Sequence, residues 1–445
     1  MESTRSLAYP FAAGLAAALA LAGPALAQSS VIVVDDGGGP GVAFTDLEPA
    51  VASASDGDLI LVRPGSYGGA SINDKALTIV ADTGGPVLID DGLAIRNLAS
   101  HRRVVLHGLR VDSGAEEGLQ IKSCAGQVWV EDCRLVGAQG DGAFTLVVPH
   151  ENGYSGAFVS YCAEVVFVDC ELVGGPGDDY APSFAIHGWG APGLTTIDSS
   201  VVLYDCEVTG GRGGDVFDDD FAVQGGIGGD GLNAVGGTLF LSGCAVTGGR
   251  GGIGGEDFDL FFGYSCGSGG AGGTGLFGAN AGQPLLAQLL DTTVTGGQGG
   301  PPYPGAPCAM GPNGPSIVAP PTAVGTTPLP SASLGATAPV RNGQLVTLRV
   351  AAQPGSAYAI GISAAPALVP VAALNGVLLV DASVVLLPLG VVGPTGVATL
   401  PLVTNATIPV GQAVTAFAQG AVLLPASFVP VLTGATHLVV LDPAL

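Results

Sequence analysis

Acidic and aromatic side chains recur together in four glycine-rich stretches of the sequence. These stretches span approximately residues 138–155, 175–192, 211–230 and 249–274. Clustered carboxylates are ligands that Ca²⁺ takes in proteins, and exposed aromatic rings suit the apolar faces of sugars. The combination indicates a surface that binds a glycan, a cation or both.

The densest clusters predict the binding residues. They are Asp215, Phe217, Asp218, Asp219, Asp220, Asp257, Phe258 and Asp259. Four of them, Asp215, Asp218, Asp219 and Asp220, are also the predicted ligands of Ca²⁺. The stretches GGRGGD (210–215) and GGIGGD (225–230) match the G-G-x-G-x-D pattern of calcium-binding repeats, although tandem nonapeptide spacing is absent. The alternative is that the aromatic rings pin these stretches to the protein and the acids keep them soluble.

A smaller set of residues could carry out catalysis on a polysaccharide. These residues are Asp178, Asp179, His187, Arg212 and Arg250. Hydrolysis needs an acid and a base carboxylate at a defined separation, whereas a lyase needs a basic residue that removes a sugar proton. The two arginines hold equivalent positions after Gly-Gly steps, and the alternative is that they pair with neighbouring acids. The sequence leaves open whether the protein is an enzyme.

A repeated motif provides the elements that must position these residues. Six copies begin at Val104, Val128, Val165, Val201, Leu239 and Ala287. The first column and the column two residues later are wholly apolar, and two polar or small residues then break the alternation, which predicts a bend between short strands. Such a unit cannot bury its own apolar face, but stacked copies share one core. The repeat therefore predicts a solenoid of parallel strands, with the four acidic stretches stacked along one side.

The repeat also places cysteine in a column after the bend. This column contains Leu109, Cys133, Cys170, Cys206, Cys244 and Thr292. Because leucine and threonine replace cysteine in it, we predict a packing role rather than metal binding or nucleophilic chemistry. In an oxidising compartment, column cysteines could also pair between neighbouring coils, and Cys266 could join Cys308. The sequence does not choose among these disulfides.

The region before the repeats carries a resemblance to a known superfold. Residues 44–54 read as a short helix, and Gly57, Asp58, Ile60, Val62, Pro64, Gly65 and Tyr67 follow it in a G-D-x-I-x-V-x-P-G-x-Y pattern. This resembles the start of secreted bacterial right-handed parallel β-helix proteins of the pectin-lyase-like superfold, over roughly residues 31–315. The resemblance implies a helix that caps the solenoid. Polygalacturonase-like hydrolases of this superfold use aspartates with a Gly-His-Gly segment, which Asp178-Asp179 and His187-Gly188 match in part.

Charge and targeting signals restrict the partners. The formal net charge is −24, and this argues against nucleic acid and anionic membranes as partners. Residues 1–27 read as a secretory signal peptide, so we expect a secreted or cell-surface protein. No later segment is apolar enough for a membrane span, because prolines and polar residues interrupt the apolar tail.

The predicted fold class is therefore all-β. A right-handed parallel β-helix solenoid with an N-terminal cap helix occupies residues 28–300, a Pro-rich loop and linker 301–330, and a small β-sandwich module 331–445. The predicted function is binding of polysaccharide or cell-envelope glycan, with Ca²⁺ as a further ligand, at the cell surface or in the extracellular matrix. The alternatives are a polysaccharide lyase or glycoside hydrolase on the same scaffold, and a structural spacer.

Overall fold

The structure is a computed structural model that describes residues 28–140, 152–179, 188–216, 224–259, 263–302, 308–381, 383–404 and 407–445. The predicted signal peptide, residues 1–27, lies outside these ranges. Within them the chain is nearly all β, as the sequence predicts, and long parallel sheets dominate. Among the described residues, no helix has the length and apolar character needed to span a bilayer.

Parallel strands stack coil upon coil and form three faces of a β-helix. In chain direction, each coil adds one strand to face A, one to face B and one to face C. Face A contains Ala70–Asn73, Leu93–Arg96, Leu119–Lys122, Ala157–Ser160, Leu276–Ala279 and Ile317–Val318. Face B contains Gln28–Val34, Leu59–Val62, Leu77–Ala81, Arg103–His107, Gln127–Glu131, Glu164–Val168, Leu285–Leu290 and Val324–Thr327. Two long strands, Leu194–Tyr204 and Leu232–Ser242, run through both faces.

Face C is a separate parallel sheet of eight short strands. They are Gly65–Tyr67, Val87–Ile89, Leu109–Asp112, Arg134–Val136, Glu171–Val173, Glu207–Thr209, Ala245–Thr247 and Thr293–Thr295. Strands Ile317–Val318 and Val324–Thr327 pair with the strands below them, so they add a last partial coil within segment 301–330.

The columns predicted from the repeat are confirmed by the strand register. Val128 pairs with Val104 below it and with Val165 above it. The same register continues through Val201 and Leu239. Side chains of these columns are buried in one continuous core, because each coil supplies the same apolar positions to the interior.

The predicted bend between faces B and C is a residue in the left-handed region. It is Gly108, Asp132, Asp169, Asp205, Gly243 and Asp291 in successive coils, with φ between 45° and 75°. Only glycine and short polar residues adopt this conformation readily. The recurrence of aspartate or glycine at this position of the repeat therefore marks the bend.

The cysteine column closes this bend from inside the core. The Cys206 Sγ–H donates to the Tyr204 carbonyl, 3.2 Å away, and Thr292 Oγ1 makes the equivalent bond to Leu290 at 3.0 Å. Cys133, Cys170 and Cys244 follow the same rule. All four thiols are buried and free. The packing role is supported, and the thiol adds a weak donor for a carbonyl at the bend.

Of the disulfides considered from the sequence, the structure contains the bond between Cys266 and Cys308. The cysteines that stack between coils are free thiols, including Cys124 and Cys162. The alternative of disulfides within the column is therefore not the arrangement in this structure.

The one α-helix of the described residues, Leu47–Ser53, precedes the first full coil. The Asp46 carboxylate accepts the Leu47 N–H at 2.8 Å, which satisfies one free donor at the helix start. Leu47, Ala50 and Val51 are buried in the core of the β-helix.

The C-terminal region, residues 333–445, consists mainly of antiparallel strands. One sheet contains Val340–Arg341, Ala357–Ser363, Val385–Leu386, Gly390–Val391, Gln412–Leu423 and Pro430–Leu441. A second sheet contains Ser333–Ala336, Leu345–Ala351 and Val397–Val403. Strands Pro366–Val371 and Gly376–Val380 form a hairpin around the short 3₁₀ helix Ala372–Leu374.

This C-terminal region packs on the outer side of face B. Trp129, Tyr204 and Phe240 point outward from face B and share one apolar cluster with residues such as Phe417. The first strand also connects the two parts, because its residues 28–30 pair with Gln412–Val414 and its residues 31–34 pair with Leu59–Val62.

Candidate functional site

The glycine-rich stretches leave the β-helix after face C and return before face A, and we call each such departure an excursion. Outgoing segments are 137–140, 174–179, 210–216, 248–255 and 296–302, and returning segments are 152–156, 188–193, 224–231, 267–275 and 308–316. We call these ten segments the glycine bundle. Its outgoing segments stack in one layer and its returning segments stack in a second layer against the first.

Backbone hydrogen bonds in the glycine bundle recur every third residue. The first glycine of each Gly-Gly-x unit donates to the next segment of its own layer, as Gly213 N does to Arg250 O at 2.8 Å. The second glycine donates across to the other layer, as Gly229 N does to Gly211 O at 2.7 Å. A period of three residues, with hydrogen bonds between segments rather than within them, is characteristic of packed polyproline II helices.

Glycine is required where the two layers meet. A Cβ atom on Gly213 would lie 2.0 Å from the carbonyl oxygen of Gly226 in the other layer, and one on Gly228 would lie 2.1 Å from Gly249 O. Both contacts are with backbone, which cannot swing aside. As in collagen, the segments approach closely because no side chain separates them.

The third residue of each unit points out of the bundle, and several acids there bond to the next coil. Asp215 Oδ1 accepts the Ile253 N–H at 2.8 Å, and Asp230 Oδ1 accepts the Thr274 N–H at 2.9 Å. These N–H groups belong to the third residues of Gly-Gly-x units, so they are not among the hydrogen bonds that the first and second glycines donate. The aspartates of GGRGGD and GGIGGD thus hold neighbouring coils together.

Arginine and aspartate alternate along the outer side of the outgoing layer. Arg212 forms an ion pair with Asp179 and a second one with Asp215, whose Oδ2 is 3.1 Å from Arg212 Nη1. Arg250 Nη2 lies 3.8 Å from Asp215 Oδ1. The predicted pairing of both arginines with neighbouring acids is confirmed.

These alternating ion pairs, which we call the ion-pair ladder, argue against Arg212 as the base of a lyase. Its hydrogen bond to Asp179 raises the pKa of Arg212 above its usual value, although burial opposes this. A guanidinium that is held charged between two carboxylates does not accept a proton from a sugar. Asp179 is equally occupied, since it also accepts the Asp215 N–H at 2.9 Å.

The other predicted catalytic residues are not brought together by the described chain. Asp178 is buried, with 6% of its surface exposed. His187 lies outside the described residues. The hydrolase hypothesis requires an acid and a base carboxylate around a substrate, whereas Asp178 is buried and Asp179 is held in the ion pair with Arg212.

Four of the predicted binding residues, Phe217, Asp218, Asp219 and Asp220, lie outside the described residues. Asp257, Phe258 and Asp259 belong to strand Glu256–Asp259, which pairs in antiparallel fashion with Gly263–Cys266. This hairpin continues the fourth excursion beyond the glycine bundle, and the Cys266–Cys308 disulfide fastens its returning side to the last returning segment.

The described residues offer no set of side chains that could bind Ca²⁺. Within the ranges that the structure describes, no group of three or more His, Cys, Asp or Glu side chains could hold a metal ion. Asp215, one of the four predicted ligands, bonds to Arg212 and to the Ile253 N–H. The described residues therefore do not fit Ca²⁺, and binding at Asp218–Asp220 stays a prediction.

Comparisons with known proteins give slight likenesses. No family model and no curated protein matches the chain. Among solved structures, it is similar to pectate lyase Pel9A, with 13% identity, a TM-score of 0.27 and coverage of 64% of this chain and 82% of that one. It is also similar to the PL6-family alginate lyase AlyGC, with 16% identity, a TM-score of 0.23 and coverage of 69% of this chain and 40% of that one.

A third similar structure is the enzymatically active domain of tailspike protein 2 from bacteriophage CBA120. It shares 11% identity, with a TM-score of 0.23 and coverage of 91% of this chain and 71% of that one. TM-scores this low carry no argument about function. The functional conclusion below therefore rests on the residues of this chain.

Proposed function

We propose that the protein is a secreted, non-catalytic scaffold that binds polysaccharide at the cell surface or in the extracellular matrix. Binding takes place at the loop wall, which we define as the excursion ends beyond the glycine bundle, including residues 217–220 and 257–259. In this proposal helix Leu47–Ser53 caps the core, and the C-terminal region is a β-sandwich that stabilises or docks the scaffold.

One observation carries the proposal: the glycine bundle stacks successive excursions in register. The hydrogen bond from Gly213 N to Arg250 O joins one outgoing segment to the next, and the bond from Gly251 N to Gln298 O repeats it one coil later at 2.9 Å. Excursions anchored at this regular spacing leave the bundle at regular intervals along the β-helix. A polymer of repeating sugars is the ligand that such a periodic surface complements.

The composition of the excursions favours sugars over other polymers. The sequence between outgoing and returning segments includes Phe217, Phe221, Phe261 and Phe262, whose rings suit the apolar faces of pyranoses. The net charge of −24 disfavours nucleic acid. Binding without cleavage is favoured because Arg212, the strongest candidate for a base, is held charged by Asp179 and Asp215.

The test is binding and turnover on a panel of soluble neutral and anionic polysaccharides. We expect the wild type to be retained by at least one polymer and Phe258→Ala to lose affinity by about tenfold, as buried aromatic anchors do. Phe428→Ala is the matched control, because Phe428 is 74% exposed in the C-terminal region, away from the glycine bundle.

Cleavage products would reverse the conclusion. Reducing ends or unsaturated sugars that disappear with Arg212→Ala would make the protein an enzyme. Absence of retention on every polymer would leave the structural spacer as the better account. Addition of Ca²⁺ or of a chelator in the same assays tests the separate hypothesis that Asp218–Asp220 bind calcium.

A further inference from the structure

The bend between faces A and B, on a different corner from the glycine bundle, takes a left-handed residue in six successive coils. Successive coils place Asp74, Asn97, Ser123, Tyr161, Asp198 and Gly236 there, with φ between 42° and 70°. Aspartate, asparagine and glycine are the residues that tolerate this region. Two members of the column, Ser123 and Tyr161, do not belong to that group, and only Tyr161 is bulky.

Tyr161 holds this bend with φ of 55°, and its side chain is 63% exposed. A bulky residue in the left-handed region is strained, and an exposed ring gains little from burial. Tyrosine at this position therefore costs stability, whereas the neighbouring coils use serine and aspartate. Strain that serves no packing purpose points to a function.

The ring of Tyr161 stands at one end of an open groove. The groove has a volume of about 650 Å³ and is lined by Tyr161, Cys162, Ala163, Asp198, Ser199, Ser200, Gly237, Thr238, Gly282 and Gln283. It crosses four successive coils, which is a length of about 14 Å at the usual spacing of β-strands. Its volume lies in the range of ligand sites.

Beyond the ring, the groove is lined by hydroxyl, amide and carboxylate groups. Thr238 Oγ1 donates to Ser200 Oγ at 2.9 Å, so neighbouring coils form a short row of hydroxyls. The Asp198 carboxylate is fixed there because its Oδ1 accepts the Gln283 N–H at 3.1 Å. Among the residues that the structure describes, no lysine, arginine or histidine lines the groove.

We propose that this groove binds a short segment of a neutral polysaccharide. Tyr161 stacks on the apolar face of one sugar ring, and Asp198, Ser200 and Thr238 bond to the hydroxyls of the following rings. The absence of basic residues from the lining, together with the Asp198 carboxylate, selects against acidic sugars. The inference rests on the proposed role in polysaccharide binding but places a second site on a different corner.

The experiment measures binding of neutral hexasaccharides, namely cellohexaose, laminarihexaose and xylohexaose, with a galacturonic acid hexamer as the acidic counterpart. We expect one neutral hexamer to bind the full chain and Tyr161→Asn to weaken it about tenfold or more. Asparagine suits the left-handed bend better than tyrosine, so the variant should keep its fold and melt at a temperature equal to or above that of the wild type.

Phe428→Asn is the matched control. Phe428 is also an exposed aromatic residue with positive φ, of 54°, but it lies in the C-terminal region and does not line the groove. This variant should bind the hexamer as the wild type does. Unchanged affinity of Tyr161→Asn, binding of the galacturonic acid hexamer alone, or no binding of any hexamer would overturn the inference.

Phe258→Ala separates this inference from the proposed function. If Phe258→Ala weakens polysaccharide binding and Tyr161→Asn does not, the loop wall stands and the groove fails. If Tyr161→Asn alone weakens binding, the groove stands and the loop wall fails. If neither hexamer nor polymer binds the wild type, both fail.

Discussion

Single residues at the two bends decide where each coil turns. In most coils an aspartate, asparagine or glycine takes the left-handed conformation, and the next residue returns to the core. At the bend into face C, that next residue is, apart from Leu109, a cysteine or threonine whose donor meets the carbonyl two residues earlier, as Cys206 does. The sequence columns could predict the bend and the packing of cysteine because both recur in every coil. The carbonyl bond was not predictable, since it depends on where the thiol points.

The aspartates of this bend are stacked close together, which gives a dependence of stability on pH. Burial raises the pKa of Asp205 to about 7, and the neighbouring charges of Asp169 and Asp291 add to the shift. The unfolded chain has a carboxyl pKa near 3.9. The folded protein thus keeps a proton that the unfolded chain releases, and this contribution to stability is full below about pH 4 and lost as the pH rises to about 7.

We therefore expect Asp205→Asn to stabilise the protein at pH 8 and to leave it unchanged at pH 4. The gain has an upper limit of about 4 kcal/mol, from a shift of about three pKa units. Asparagine keeps the left-handed bend, so turn propensity changes little. Urea unfolding at pH 4, 6 and 8 measures the effect.

Asp74→Asn is the matched control at the other left-handed column. The Ala99 N–H and Arg102 lower the pKa of Asp74, so its contribution to stability is present at neutral pH and is lost on acidification. This variant should be less stable than the wild type at pH 8, which is the opposite sign. A stabilising effect of both substitutions at pH 8 would indicate that turn propensity, not titration, is responsible.

At the scale of elements, the β-helix strands and the glycine bundle differ in how the sequence specifies them. Each strand is marked by apolar residues two positions apart, and the columns from Val104 to Ala287 follow from that pattern. The glycine bundle has no apolar face, and its only signal is the three-residue period of GGRGG or GGIGG. The calcium-repeat pattern shares this spacing, which is why sequence alone assigned Asp215 to a metal.

We expect Gly249→Ala to destabilise the protein by about 1–3 kcal/mol or more, because its Cβ would lie 1.9 Å from Gly211 O and the backbone must move. Thermal unfolding together with limited proteolysis of the excursions measures this effect. Gly335→Ala is the control for the same chemical change, since a Cβ there meets nothing within 4 Å. Equal melting temperatures for both variants would contradict tight packing between successive outgoing segments.

For the whole molecule, the C-terminal region and the β-helix share an interface that no local pattern predicts. The Glu131 carboxylate on face B accepts hydrogen bonds from Thr436 Oγ1 at 2.6 Å and from the His437 N–H at 2.7 Å. Arg341 forms a bidentate pair with Asp82 at 2.7 and 2.8 Å. These partners are 259 to 306 residues apart in sequence, so periodicity could not bring them together.

The shared interface predicts that the two parts unfold together. Glu131→Gln replaces a carboxylate oxygen by an NH₂ group that faces donors from Thr436, His437 or Trp129, whose Nε1 lies 3.0 Å from Glu131 Oε2. We expect this buried mismatch to cost about 1–3 kcal/mol and to lower the temperature of a single calorimetric transition. Burial raises the pKa of Glu131, so the wild type loses stability as the pH rises through that value and the cost of the substitution should be smallest at alkaline pH.

Glu171→Gln is the control, because Glu171 pairs with Arg134 at the surface, with the Arg134 Nε 3.0 Å from its Oε2 and both side chains more than 40% exposed. Exposed pairs contribute about 0–1 kcal/mol, so its transition should stay close to that of the wild type. Two separate transitions in the wild type, or a shift by Glu131→Gln of only one of them, would show that the C-terminal region unfolds on its own. A single transition that Glu131→Gln lowers as a whole means that the scaffold and its C-terminal region form one cooperative unit, since the carboxylate belongs to one part and its donors mostly to the other.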